Sequence, residues 1–151
     1  GTFVRCRAVT LRPGMLVLIG SKRYRFDMPA AAMTNPADDG EEGKTALVSG
    51  PAADDLLPAL VEVTLANTQA PARFPFRSAR LNIGRPGFGN AIEVDDLCMA
   101  KVHAVVTRDT SGAWQIQSQP SLNGIWVKID QVKLTDGCLF QCGEQRFRFH
   151  L

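Results

Sequence analysis

The sequence predicts an all-β fold, an antiparallel sandwich or barrel, and three observations predict it. Past residue 58, short runs rich in β-branched and aromatic residues follow one another at close, regular spacing. Gly, Asn and Asp clusters punctuate them as turns. The last run alternates: Phe147, Phe149 and Leu151 interleave with Arg146, Arg148 and His150, the period-2 signature of a half-buried strand. Helix content is expected to be low.

Taken in order, Leu60–Leu65 is the first strand of this stretch, and Asn67–Pro71 breaks it. Val102–Thr107, Trp114–Gln117, Ile125–Ile129 and Phe147–Leu151 follow. They are separated by Asp109-Thr110-Ser111-Gly112, by Asn123-Gly124 and by Asp136-Gly137. Upstream, residues 27–57 hold seven acidic residues against the single Lys44 and are rich in Ala, Gly and Pro. That composition has little to bury and reads as an acidic linker, with a short helix expected around Ala53–Leu60. Residues 1–26 carry Arg5, Arg7, Arg12, Lys22, Arg23 and Arg25 and no acid.

The whole chain bounds the function classes. Its 151 residues, 45% hydrophobic, can bury a core without disulfide staples. A net charge of +2 gives no case for a nucleic-acid partner. No apolar run approaches the ~18 residues of a membrane span, and no targeting signature opens the chain, so a cytoplasmic module without membrane contact is expected. The first residue is Gly1 rather than Met, and the chain is expected to be a piece of a longer one.

Residues 1–26 and 124–149 align without a gap at a constant offset of 123, and ten of the 26 positions are identical. The identities include Gly1/Gly124, Val4/Val127, Gly14/Gly137, Gly20/Gly143, Arg23/Arg146, Arg25/Arg148 and Phe26/Phe149. Turn glycines and apolar strand positions agree together, which shared alternation alone does not produce. Residues 1–26 are therefore expected to be the final strands of a preceding domain of the same kind. Three or so strands cannot bury a core alone, so they should form a meander that rests on the 58–151 domain or pairs with another chain.

Residues 58–151 contain, in order, Leu81-Asn82-Ile83-Gly84-Arg85, Asn90-Ala91-Ile92, Ala100-Lys101-Val102-His103-Ala104, Trp114-Gln115-Ile116, Ser121-Leu122-Asn123-Gly124 and Leu134-Thr135-Asp136-Gly137, then Gly143 and Phe147-Arg148-Phe149. In that order and spacing they resemble a forkhead-associated (FHA) domain over about 90 residues. The resemblance implies a sandwich of two antiparallel sheets, here with an extra N-terminal β-meander. It also implies a non-catalytic module that reads phosphothreonine in partner proteins of Ser/Thr-kinase signalling. No cofactor is implied.

The residue chemistry suits that role, because a phosphate dianion favours charge-assisted bonds from guanidinium or ammonium groups. By the resemblance, Arg85 contacts the phosphopeptide, and Lys101 follows the position of a phosphate-binding Ser and adds a second positive charge. Asn123 matches the residue that bonds the peptide backbone, although Asn-Gly is also a turn pair in any β protein. His103 matches a histidine that braces the binding loops, with Gly84 and Gly124 supporting the site and Ser121 a further donor.

Two positions depart from the family pattern. Ala100 stands where a Ser is usual, and Leu122 where a polar residue is common. Each lost hydrogen bond to a charged phosphate is worth about 1–3 kcal/mol. These departures motivate an alternative, a phospho-independent scaffold or oligomerisation module that has lost the phosphate site.

An enzyme finds little support. The glycines of Gly84–Gly89 fit neither a dinucleotide fingerprint nor a P-loop, there is no G-x-S-x-G, and Ser111 and Ser121 lack a His partner. With two histidines, one of them penultimate, a His-based metal site is not expected. Cys138 and Cys142, four residues apart on an expected strand, are on the order of 13 Å apart and form no redox or zinc pair.

Overall fold

The computed structural model describes residues 1–30, 53–64 and 70–151, so most of the expected linker and of the Asn67–Pro71 break lie outside the described residues. The N-terminal segment forms β1 (Thr2–Cys6), β2 (Ala8–Thr10), β3 (Leu16–Ile19) and β4 (Lys22–Asp27). A single 3₁₀ turn at Ala53–Leu56 stands where the short helix was expected. It precedes β5 (Ala59–Glu62), β6 (Arg73–Pro75), β7 (Arg80–Gly84), β8 (Ile92–Glu93) and β9 (Ala104–Arg108). The remaining strands are β10 (Trp114–Ser118), β11 (Ile125–Ile129), β12 (Leu139–Cys142) and β13 (Gln145–Arg148). Among the described residues no helix is long and apolar enough to cross a membrane.

The fold is all-β and has two sheets, in the order β13-β12-β1-β11-β3-β4-β5-β6 and β2-β10-β9-β7-β8. Every pairing is antiparallel except β7·β8, where the short β8 runs parallel to its neighbour. The core lies between the sheets. Val17, Ile19, Tyr24, Phe26, Leu60, Ile125 and Val127 come from the larger one, and Leu81, Ile83, Val106, Trp114 and Ile116 from the smaller. Alternation explains the selection: Tyr24 and Phe26 of β4 are buried while Arg25 between them is exposed. On the outer face of the larger sheet a second small cluster joins Phe3, Leu18 and Trp126.

The strands of residues 1–26 do not rest on the sandwich as a separate layer; they are members of its sheets. β1 lies between β11 and β12, β2 borders β10, and the β3–β4 hairpin fills the place between β11 and β5. Burying Val17, Ile19, Tyr24 and Phe26 there removes four large side chains from water, at roughly 1.5–3 kcal/mol each for such side chains.

The C-terminal strand differs from its expected half-burial. All four residues of β13 are exposed, and Phe147 keeps 41% of its surface in solvent. The reason is positional. β13 forms the edge of the larger sheet, beyond the part that the smaller sheet covers, and none of its residues joins the core.

Candidate functional site

Three connections meet at one end of the sandwich: 85–91 after β7, 94–103 before β9, and 119–124 before β11. Their convergence is built from backbone contacts that leave no room for side chains. A Cβ on Gly84 would run into the carbonyl of Lys101 and lie 2.6 Å from Asn90 Nδ2, so only glycine lets β7 pass this close. Arg85 N–H then donates to Ala100 O at 3.1 Å, and His103 N–H to Ile83 O at 2.8 Å.

Asn90 joins the first two connections. It is 9% exposed, and its Nδ2 donates both to Arg85 O at 2.9 Å and to Lys101 O at 2.7 Å. The backbones of the two cationic residues are thus held by one amide, while both side chains remain exposed. The Arg85 guanidinium donates one bond, to Met99 O at 2.8 Å, and most of its five N–H groups point to no acceptor among the described residues. Lys101 Nζ stands 5.2 Å from the centre of the Phe88 ring, a cation–π contact on an exposed surface.

His103 joins the second connection to the third. It is fully buried; its Nδ1 accepts from Ala100 N–H at 3.1 Å, and its Nε2 lies 2.8 Å from Gly124 O. Because Nδ1 is the acceptor, the proton sits on Nε2, which donates to Gly124 O. Gly124 has a φ of 63°, and a Cβ there would approach Arg5 Nε to 2.6 Å. From β1, Arg5 donates to Ser121 O and Leu122 O, both at 3.2 Å, and so fixes the third connection from outside it.

The polar side chains of that third connection are partly engaged. Asn123 Nδ2 donates to Cys98 O at 2.9 Å, which leaves one amide hydrogen, and Trp126 Nε1 donates to Asn123 O at 2.7 Å. Ser121 Oγ accepts from Gly124 N–H at 3.0 Å and keeps its hydroxyl hydrogen for another acceptor. Leu122 is 91% exposed and Leu97, next to the Asp96 turn, is 95% exposed.

Asp96 anchors the second connection to the β3–β4 turn. Ser21 donates to Asp96 Oδ2 from its backbone at 2.6 Å and from its hydroxyl at 2.8 Å, and Cys98 N–H donates to Oδ1 at 2.8 Å. Burial pushes the Asp96 carboxyl up, but the bonds from Ser21 and Cys98 outweigh it and hold the group below the ordinary carboxylate range.

The structure therefore brings Arg85, Lys101, Ser121 and Asn123 to connections at one end and sets Gly84, His103 and Gly124 among their ties. The sequence pattern contains Asn90 but assigns it no role, and it gives no sign of the parts played by Arg5 and Asp96. An Asn six residues after Gly84 at the end of a turn-rich stretch carried a signal; Arg5, more than a hundred residues from its partners, carried none. The four cysteines are free, and among the described residues no group of three His, Cys, Asp or Glu is placed to hold a metal. The site can offer cationic and neutral donors to an anion; it presents no nucleophile–base pair. Residues 81–143 match the family model of the FHA domain. Searches of curated proteins and of solved structures returned no match.

Proposed function

We propose that this chain, whose residues 81–143 match the FHA domain, in general a phosphothreonine-binding interaction module, binds a Thr-phosphorylated segment of a partner protein in Ser/Thr-kinase signalling, without catalysis. The observation that carries the reading is the Asn90 clamp. One buried amide holds the backbones of Arg85 and Lys101 and leaves two cationic side chains exposed at the same end. Arg85 and Lys101 supply the charge-assisted bonds to the phosphate, and the remaining Asn123 amide hydrogen bonds the peptide backbone. The Ser121 hydroxyl takes the place of the donor that Ala100 lacks.

Fluorescence anisotropy with matched phosphothreonine and threonine peptide libraries tests this. Binding should require the phosphate, and Arg85→Ala should weaken it at least tenfold. Ala100→Ser adds a neutral donor to a charged group, worth about 1.5–3 kcal/mol, and should tighten binding roughly tenfold to a hundredfold. Equal binding of both libraries, or indifference to Arg85→Ala, refutes the reading.

One observation favours a second reading, a phospho-independent scaffold. Leu122 and Leu97 stand almost wholly in solvent beside the same connections, as apolar anchors of a protein interface would. Binding or self-association that survives Arg85→Ala and is lost in Leu122→Ser would support it.

A further inference from the structure

The two hairpins β3–β4 and β12–β13 are copies of one another in geometry as well as in sequence. In the first, Leu16 pairs with Arg25, Val17 with Tyr24, Leu18 with Arg23 and Ile19 with Lys22. In the second, Leu139 pairs with Arg148, Phe140 with Phe147, Gln141 with Arg146 and Cys142 with Gln145, the same register shifted by 123. The flanking bonds correspond too: Gly14 N–H to Phe26 O and Phe26 N–H to Met15 O match Gly137 N–H to Phe149 O and Phe149 N–H to Cys138 O. Gly14 and Gly137 have φ of 80° and 76°, and Gly20 and Gly143 of 66° and 62°.

Their attachments to the sheet also correspond. β3 pairs with β11 through Ile19↔Ile125, Leu18↔Trp126 and Val17↔Val127. β12 pairs with β1 through Cys142↔Thr2, Gln141↔Phe3 and Phe140↔Val4, again the same positions shifted by 123. The β1·β11 pair is its own image under that shift, centred on Val4↔Val127. Even the guanidinium contacts repeat, with Arg23 over Phe3 and Arg146 over Trp126.

The difference lies in what each hairpin faces. The covered place between β11 and β5 takes one hairpin, and β3–β4 holds it with Val17, Ile19, Tyr24 and Phe26 in the core. The matching residues Phe140, Cys142, Phe147 and Phe149 do not join the core, and among the described residues Phe140 and Phe147 stack on each other alone. Neither hairpin is the better occupant on every count. Tyr24 carries a hydroxyl that is buried without a partner among the described residues, and Phe147 at the matching position has none. Ser21 in turn bonds Asp96, where Glu144 would set a second carboxylate against it.

We propose that the two hairpins are interchangeable occupants of the one covered place. β12–β13 can enter between β11 and β5 of its own chain while β3–β4 moves to the far side of β1. Nine residues, 130–138, join β11 to β12, enough for a direct hairpin. The exchange removes the Ser21–Asp96 bonds from the connection whose Met99 and Cys98 carbonyls hold Arg85 and Asn123, so it reaches the binding end.

Thermal melts of the full chain test it by a double-mutant cycle. Phe26→Asp spoils one occupant and Phe149→Asp the other. Each single variant should keep a cooperative melt, and the double variant should lose it. Melting lost in Phe26→Asp as completely as in the double variant overturns the proposal.

Native Cys142 reports the location, in a background of Cys6→Ser, Cys98→Ser and Cys138→Ser. Thr2→Cys should form an intrachain disulfide with Cys142 in the arrangement seen here, where the two positions are paired. Ile125→Cys should form one only after exchange, because β1 now separates β11 from β12 by about 10 Å, beyond the ~7 Å limit for a bridge. Phe26→Asp should raise the yield of the Ile125→Cys bridge. No such bridge, or one found only between chains, overturns exchange within the molecule.

Discussion

His103→Leu isolates the polar half of what His103 does. Leucine refills most of the ring's volume in a site with no solvent exposure, so the chief loss is the two hydrogen bonds. Ala100 N–H loses the acceptor now 3.1 Å away, and Gly124 O loses the donor at 2.8 Å. Each group left unsatisfied costs about 1–3 kcal/mol when it is buried. Gly124 is buried and Ala100 half-buried, so the lower part of that range applies to Ala100. The sum is about 2–4 kcal/mol, a large share of the 5–15 kcal/mol typical of a domain. Urea denaturation followed by Trp fluorescence should show the midpoint fall at an unchanged slope. Phosphopeptide affinity should fall as well, measured where the variant is still folded, because the connections 94–103 and 119–124 are no longer tied to each other. A stability loss below about 1 kcal/mol would mean that other contacts fix the loops and would refute the argument.

Gly84→Ala should lower stability by about 1–3 kcal/mol in a thermal melt, since its Cβ collides with the Lys101 carbonyl. Asn90→Ala strands two carbonyls but also removes a buried, unpartnered Oδ1, so a net loss of about 1–2 kcal/mol is expected, with weaker phosphopeptide binding by anisotropy. The depressed Asp96 carboxyl contributes stability above its unfolded pKa, and that contribution is lost as pH falls through the lower folded value. Acid titration of stability from about pH 5 downward should therefore be steeper in the wild-type chain than in Asp96→Asn. Equal slopes would mean that the Ser21 and Cys98 bonds do not favour the ionised form.

The smaller sheet was legible because its strands are local. Val102–Thr107 and Trp114–Gln117 carry their apolar residues and turn signals within a few positions, and they became β9 and β10 with small shifts at the ends. The meeting of the three connections was legible at short motifs within them, as at Gly84-Arg85 and Asn123-Gly124. Its supports were less so. Arg5 reaches Ser121 and Leu122 across more than a hundred residues, and Ser21 reaches Asp96 across seventy-five. Periodicity reports which face of a strand is apolar, not what covers that face.

The same gap explains the misread C-terminal strand. Phe147 and Phe149 alternate with arginines as convincingly as Tyr24 and Phe26 do, and on pattern alone both segments qualify as half-buried strands. The sheet has one covered position of that kind, so burial in one segment implies exposure in the other. Ala100 fits the same logic at the end proposed to bind the peptide. Its backbone is held at both N–H and C=O, by His103 and by Arg85, so its position is set whatever side chain it carries. On the proposed reading, a missing hydroxyl there removes one donor to a phosphate while leaving the loop geometry in place. Restoring it with Ala100→Ser therefore reports on phosphate recognition rather than on the loop.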